Sequence, residues 1–139
     1  MGDFIAIVGA LDEEVEALGG QLADAQEHPA PFGTPPYLRG KLNGRLVIIA
    51  RSGIGKVNAA LTTQYLIDQF PLKALINTGV AGGLSPQVAI GDLVISLDSL
   101  QHDFDAGNFG FPRGNIPRLG RGIFPADSYL IDKAVKVAK

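Results

Sequence analysis

Cysteine and tryptophan are absent from the 139 residues, and histidine occurs only twice, as His28 and His102. A chain without cysteine forms neither a disulfide bond nor a thiolate metal site. The two histidines lie far apart and lack the short spacing of paired metal ligands. The sequence therefore predicts that the protein uses no metal ion and no other cofactor.

Charge of one sign and long apolar runs are also lacking. Twelve basic and fourteen acidic residues leave a net charge of −2, without the cluster of Lys and Arg that binds a row of phosphates. No segment approaches the ~18 apolar residues that span a membrane, and Met1-Gly2-Asp3 carries an acid where a secretory signal carries positive charge. We therefore expect a cytoplasmic protein, a single domain over residues 1–139, and neither nucleic acid nor membrane as a partner.

Short apolar segments alternate with helical patterns along the chain. Phe4 to Val8 reads as a buried strand, and a helix begins at the acids of residues 12–14 and carries an apolar stripe as far as Ala25. The other predictions are a loop over His28–Pro36, a hairpin of Tyr37–Leu42 and Arg45–Arg51 around Asn43-Gly44, a helix from Val57 to Phe70, a strand over Ala74–Asn77, a β-branched run over Asp92–Ser96, a long loop over Gln101–Pro125, and a last helix capped by Asp127 or Ser128. This order predicts an α/β fold with a mixed twisted sheet flanked by helices.

Glycine-rich loops follow three of the predicted strands, after Val8, after Arg51 and after Ile76. Ligands of such sheets bind at the carboxyl ends of strands, so we expect these loops to converge. Because glycine has no Cβ, the backbone can approach a flat ligand such as a nucleobase. Any one of these loops alone is better explained by a tight turn, whereas the three together favour a ligand site.

Two partial glycine motifs fail as nucleotide signatures. Ser52-Gly53-Ile54-Gly55-Lys56 lacks both the earlier glycine and the following Ser or Thr of a phosphate-binding loop. Gly79-Val80-Ala81-Gly82-Gly83 lacks the spacing of a dinucleotide-binding loop.

Asp12, Glu13 and Glu14 follow the first strand and are candidates for a general base. One of them could activate a water molecule if burial raised its pKa towards neutrality. The alternative is that all three are solvated first-turn acids that complement the helix dipole. His102-Asp103 is a second candidate base with its orienting carboxylate, and a hydrogen-bonded structural histidine is the alternative there.

Five segments, taken in order, resemble one family. They are Ile7–Val15, Ser52–Ala60, Ile76–Leu84, Gly91-Asp92, and Gln101-His102-Asp103 with Phe109-Gly110. In this order they are similar to the 5′-methylthioadenosine/S-adenosylhomocysteine nucleosidases of the purine nucleoside phosphorylase superfamily. The resemblance implies a nucleoside phosphorylase-like fold and hydrolysis of the bond between ribose and adenine.

The resemblance also implies roles for single residues. Glu14 matches the carboxylate that activates the attacking water. Positions that line the adenine and ribose pocket are matched by Ala10, Ile54, Val80, Ala81 and Gly82, and Val80 stands where some members carry serine. Phe109 and Pro117 match residues that complete the active site of the neighbouring subunit, which implies a homodimer that binds a small nucleoside.

Phosphorylases of this superfamily hold their phosphate with arginines, and this chain has Glu14 and Asn77 at the matching positions. The resemblance therefore implies water as the nucleophile. It also implies that the acid that protonates adenine comes from a C-terminal half not found here, so we expect the C-terminal part to be missing and the chain alone to be inactive. The alternatives are an aminofutalosine hydrolase, a nucleoside phosphorylase, and an inactive ligand-binding domain.

Overall fold

A computed structural model describes residues 3–31 and 33–138. The chain forms two compact units, Met1–Gly82 and Gly83–Lys139. The first unit contains β1 (Phe4–Gly9), α1 (Asp12–Gly19), β2 (Ala23–His28), β3 (Tyr37–Leu42), β4 (Arg45–Arg51), α2 (Lys56–Gln69) and β5 (Leu72–Asn77). The second contains β6 (Asp98–Leu100), a 3₁₀ turn (Gly107–Phe109), β7 (Ile123–Pro125) and α3 (Ser128–Val137).

The first unit is built on a five-stranded sheet in the order β2-β3-β4-β1-β5. Its central strand β1 runs parallel to both neighbours, and Ile7 pairs with Ile49 of β4 and with Ile76 of β5. The pairs β2-β3 and β3-β4 are antiparallel. The mixed sheet predicted from the order of elements is thus confirmed.

Strand β1 buries both of its faces. Phe4, Ala6 and Val8 pack in a cluster with Leu66 of α2, whereas Ile5 and Ile7 pack against the cluster that contains Val15 of α1 and Val47 and Ile49 of β4. Alternate residues of a strand point to opposite faces, so a fully apolar strand needs cover on both. The two helices supply that cover.

The β3-β4 hairpin turns at the predicted dipeptide. Asn43 and Gly44 have φ values of 49° and 77°, the positive pair that a tight two-residue hairpin requires. Residues Tyr37 to Leu42 pair in register with residues Ala50 to Arg45. The hairpin and its bounds are confirmed.

Helix α1 is shorter than predicted. It ends at Gly19, and the stripe residue Ala25 belongs to the antiparallel strand β2. Five of the six residues of β2 are exposed, so the strand has none of the alternation of apolar residues that reveals a half-buried strand. This segment is a strand because it pairs with β3, and no local sequence pattern predicts it.

Two predictions in the second unit also need correction. The β-branched run Asp92–Ser96 is not a strand, and its Leu93 and Val94 are exposed. The strand β6 lies just after this run, and it pairs with β7, which falls inside the segment Gln101–Pro125 that was predicted as a loop. The last helix is confirmed, and Asp127 is its N-cap, since its carboxylate accepts the Leu130 N–H at 3.0 Å.

Across the described part of the chain, none of the helices combines the length and the apolar character needed to cross a membrane.

Candidate active site

The carboxyl ends of three neighbouring parallel strands form one edge of the first unit. The Ser52 N–H, just after β4, donates to the Gly9 carbonyl at 2.8 Å. The Thr78 N–H, just after β5, donates to the Val8 carbonyl at 2.9 Å. These bonds hold the loops after β4 and β5 against the end of β1, so the predicted convergence of the glycine-containing loops is confirmed.

Glu14, in the first turn of α1, links two of these loops. Its Oε2 accepts the N–H groups of Ala10 at 2.6 Å and Leu11 at 3.0 Å. Its Oε1 accepts the Val80 N–H at 2.9 Å, from a residue 66 positions away in the chain. Three backbone donors therefore hold a half-buried carboxylate at the carboxyl edge of the sheet.

These donors decide the direction in which the pKa of Glu14 moves. The N–H groups of Val80 and Leu11 lower the pKa most, burial opposes them, and the Ala10 N–H lowers it further. The net result is a pKa below the ordinary carboxyl value of 4.5. Our expectation that burial raises the pKa of the candidate base is wrong, because hydrogen bonds to the anion outweigh desolvation. Glu14 is accordingly ionised at neutral pH and able to accept a proton.

The other two acids of the triplet lie in different surroundings. Asp12 forms an exposed ion pair with Arg51 at the end of β4. Glu13 is exposed and lines the cleft beside Glu14. The description as three solvated first-turn acids therefore fails for Glu14, whose carboxylate contacts the loop after β5.

A cleft of about 350 Å³ opens beside the Glu14 carboxylate. This is within the range of small-molecule sites, which run from about 300 to 1,000 Å³. Its lining residues come from the loops after β1 and β5 and from the start of α1: Leu11, Glu13, Glu14, Thr78, Gly79 and Val80.

The structure brings three of the predicted site residues together, Ala10, Glu14 and Val80. Ala10 and Val80 both donate backbone N–H groups to Glu14. Ala81 and Gly82 follow Val80 and are exposed. Ile54 is 75% exposed in the turn between β4 and α2.

The remaining predicted residues belong to the second unit. Phe109 is 82% exposed at the end of the 3₁₀ turn, and Pro117 is partly exposed. His102 is exposed in a turn that follows β6.

The glycine turn at Gly79, expected from the sequence to lie against the ligand, lines the cleft, whereas sequence reasoning missed Leu11 and Thr78 as cleft residues. Leu11 acts on Glu14 through its backbone N–H, a group that every residue except proline carries. No residue type marks such a donor, so the sequence offered no signal for it. The strand-to-loop junction at Asn77 was the available signal for Thr78.

The family model of the phosphorylase superfamily matches residues 4–139. The chain belongs to the phosphorylase superfamily. The five-stranded mixed sheet agrees with this assignment, since solved relatives superpose on it.

Similar members carry one activity in their names. The 5′-methylthioadenosine/S-adenosylhomocysteine nucleosidase of Staphylococcus haemolyticus is 44% identical over 115 residues, which is 83% of this chain and 50% of that protein. The Neisseria meningitidis nucleosidase of the same name, solved with methylthio-immucillin-A, superposes with a TM-score of 0.91 at 36% identity, over 98% of this chain and 58% of its own. The Colwellia psychrerythraea nucleosidase, solved with adenine, gives the same TM-score and identity, over 98% and 55%. The chain thus spans about half the length of these relatives.

Proposed function

We propose that the protein hydrolyses the N-glycosidic bond of 5′-methylthioadenosine and S-adenosylhomocysteine and releases adenine. The observation that carries this proposal is the Glu14 carboxylate, held beside a ligand-sized cleft by backbone donors from two strand-end loops. The activity in the names of the similar proteins supports the same reaction.

In the proposed step, Glu14 accepts a proton from a water molecule as the water oxygen bonds to C1′ of the ribose. The bond between C1′ and N9 breaks, and its electron pair leaves with adenine, which is protonated. Base catalysis of this kind needs the carboxylate in its ionised form, and the three backbone donors keep it ionised. The resemblance assigns the protonation of adenine to an aspartate that this chain does not contain, so we propose that residues 1–139 alone do not turn over.

The charges around the cleft favour water over phosphate as the nucleophile. Among the described residues that line it, the ionisable side chains are the carboxylates of Glu13 and Glu14. The nearby cation Arg51 is paired with Asp12. Since a phosphate dianion is held by fixed positive charge, these carboxylates oppose its binding.

We assign the adenine and ribose pocket to Ala10, Ile54, Val80, Ala81 and Gly82. Val80 lines the cleft and donates its N–H to Glu14. A serine hydroxyl, which some family members carry at this position, is replaced here by a branched alkyl group. Ribose contacts on this side are therefore proposed to come from the backbone.

We further propose a cytoplasmic homodimer in which Phe109 and Pro117 of one subunit complete the 5′-alkylthio site of the other. The exposure of Phe109, at 82%, supports a partner for this side chain. A mixture of Glu14→Gln and Phe109→Ala proteins tests the idea, because a mixed dimer then contains one intact site. Recovery of adenine release after subunit exchange is expected, and no recovery would contradict the shared site.

The main test is adenine release from methylthioadenosine by the protein as its host makes it, with and without phosphate. We expect adenine and methylthioribose in equal amounts without phosphate. Turnover that requires phosphate would identify a phosphorylase, and release only from aminofutalosine would identify the sibling hydrolase. Adenine binding without any turnover would identify a ligand-binding domain.

A further inference from the structure

Gly79 lies against the carboxylate of Glu14. A Cβ atom added at Gly79 would come within 2.6 Å of Glu14 Cδ and 3.0 Å of Oε2, and its three nearest heavy atoms all belong to this carboxylate. Non-bonded carbon atoms pack at about 3.5 to 4.0 Å, so the carboxylate and a side chain at residue 79 exclude each other.

The next residue supplies one of the three donors that orient the carboxylate, the Val80 N–H. A side chain at residue 79 would push the carboxylate away from this donor. We propose that Gly79 is a positioning residue. Because it has no side chain, the Glu14 carboxylate can lie in the position where it accepts the Val80 N–H. The catalytic consequence of this inference rests on the proposed function. The position of the Glu14 carboxylate rests on geometry alone.

Gly9 provides a contrast within the same site. A Cβ there would meet Val15 Cγ1 at 2.7 Å, Glu14 Cβ at 3.0 Å and Glu14 Oε2 at 3.3 Å, so the conflict is chiefly with the packing of α1 on β1 and only slightly with the carboxylate. Shortening the Glu14 side chain to alanine removes the conflict at Gly79 and leaves that at Gly9. The two glycines can therefore be separated by experiment.

The first test is a double-mutant cycle of thermal stability. Gly79→Ala is expected to lower the Tm by about 4 °C or more in the wild type and by less than half as much in a Glu14→Ala background. Any backbone cost at residue 79 is the same in both backgrounds and cancels. Gly9→Ala, the matched control, is expected to lower the Tm by a similar amount in both, because its main conflict is with Val15 and Glu14 Cβ, which remain. Equal losses for Gly79→Ala in the two backgrounds would overturn the proposal.

The second test follows the Val80 amide proton by NMR as pH changes. In the wild type its chemical shift is expected to titrate with the Glu14 carboxylate, and in Gly79→Ala this titration is lost. Gly83→Ala is the control, since its Cβ would lie at an ordinary 3.6 Å from Val88 Cγ1. If the chemical shift of the Val80 amide proton still titrates in Gly79→Ala, Gly79 does not position the Glu14 carboxylate.

The catalytic consequence is measured in the hydrolysis assay. Displacement of a catalytic group by about 1 Å can cost about 100-fold in rate, so Gly79→Ala should lower kcat by roughly that factor and change KM less than about threefold. Full kcat in Gly79→Ala would overturn the inference. If the wild-type protein made by its host hydrolyses no nucleoside, the proposed function is refuted instead. The stability cycle and the amide titration, which need no turnover, would still test the position of the Glu14 carboxylate.

Discussion

Replacement of Glu14 by glutamine tests the proposed base with the smallest change of shape. The glutamine amide carries one oxygen and one NH₂ group, whereas the carboxylate accepts two N–H groups at Oε2 and one at Oε1. Glutamine loses least when its oxygen faces Ala10 and Leu11. The NH₂ group then faces the Val80 N–H, and one of three hydrogen bonds is lost.

The expected magnitude follows from this geometry. Two of the three donors keep their acceptor, so α1 and the cleft are retained and adenine affinity should change less than about threefold. The amide cannot take a proton from water, and loss of a general base typically lowers the rate by about 10² to 10⁴-fold. The loss should therefore fall on kcat.

The assay combines adenine release from methylthioadenosine with calorimetric titration of adenine. Glu14→Asp, which keeps the charge on a shorter side chain, is the companion variant and is expected to retain part of the activity. A glutamine variant within tenfold of wild-type kcat would refute the base assignment. Equal losses of binding and turnover would show a structural role instead.

Three further predictions concern stability. Because the folded-state pKa of Glu14 is lowered, its ionisation stabilises the fold above the ordinary value of 4.5, and this contribution is lost as pH falls through the lowered value. Glu14→Gln should therefore flatten the dependence of Tm on pH below 4.5, as followed by circular dichroism. Leu66 has 0% of its surface exposed, so Leu66→Ala should lower the free energy of unfolding by about 2 to 5 kcal/mol, as measured by urea unfolding. Asp127→Ala removes the acceptor of the Leu130 N–H and should cost about 0.5 to 2 kcal/mol, with faster amide exchange in the first turn of α3.

Each prediction has its own control. A Glu13→Gln variant should keep the acid dependence, and loss of it there would move the effect from Glu14 to its neighbour. Ile67 is the exposed neighbour of Leu66, and Ile67→Ala should lower the free energy of unfolding by about 0.5 kcal/mol or less. Asp127→Asn keeps a capping oxygen, so a loss as large as that of Asp127→Ala would contradict the capping role.

Local signals predicted much of the first unit. A few neighbouring residues are enough to predict each of three elements: the apolar run of β1, the Asn43-Gly44 turn and the helix after Gly55. Strand β2 was missed because it is exposed and polar, and its pairing with Tyr37–Lys41 is what makes it a strand. The run Asp92–Ser96 has strand-forming residues and no strand, since propensity without a pairing partner in the described residues is insufficient.

By itself, the sequence determined β1, the β3-β4 hairpin, α2, β5 and α3, the glycine-rich ends of the parallel strands, and a resemblance that singled out Glu14. Only the tertiary structure decided which donors the Glu14 carboxylate meets. Val80 is 66 residues from Glu14 in the chain, and the pairing of β1 with β5 makes them neighbours. The direction of the Glu14 pKa depends on those donors, because a backbone N–H stabilises a carboxylate only when folding aims it there.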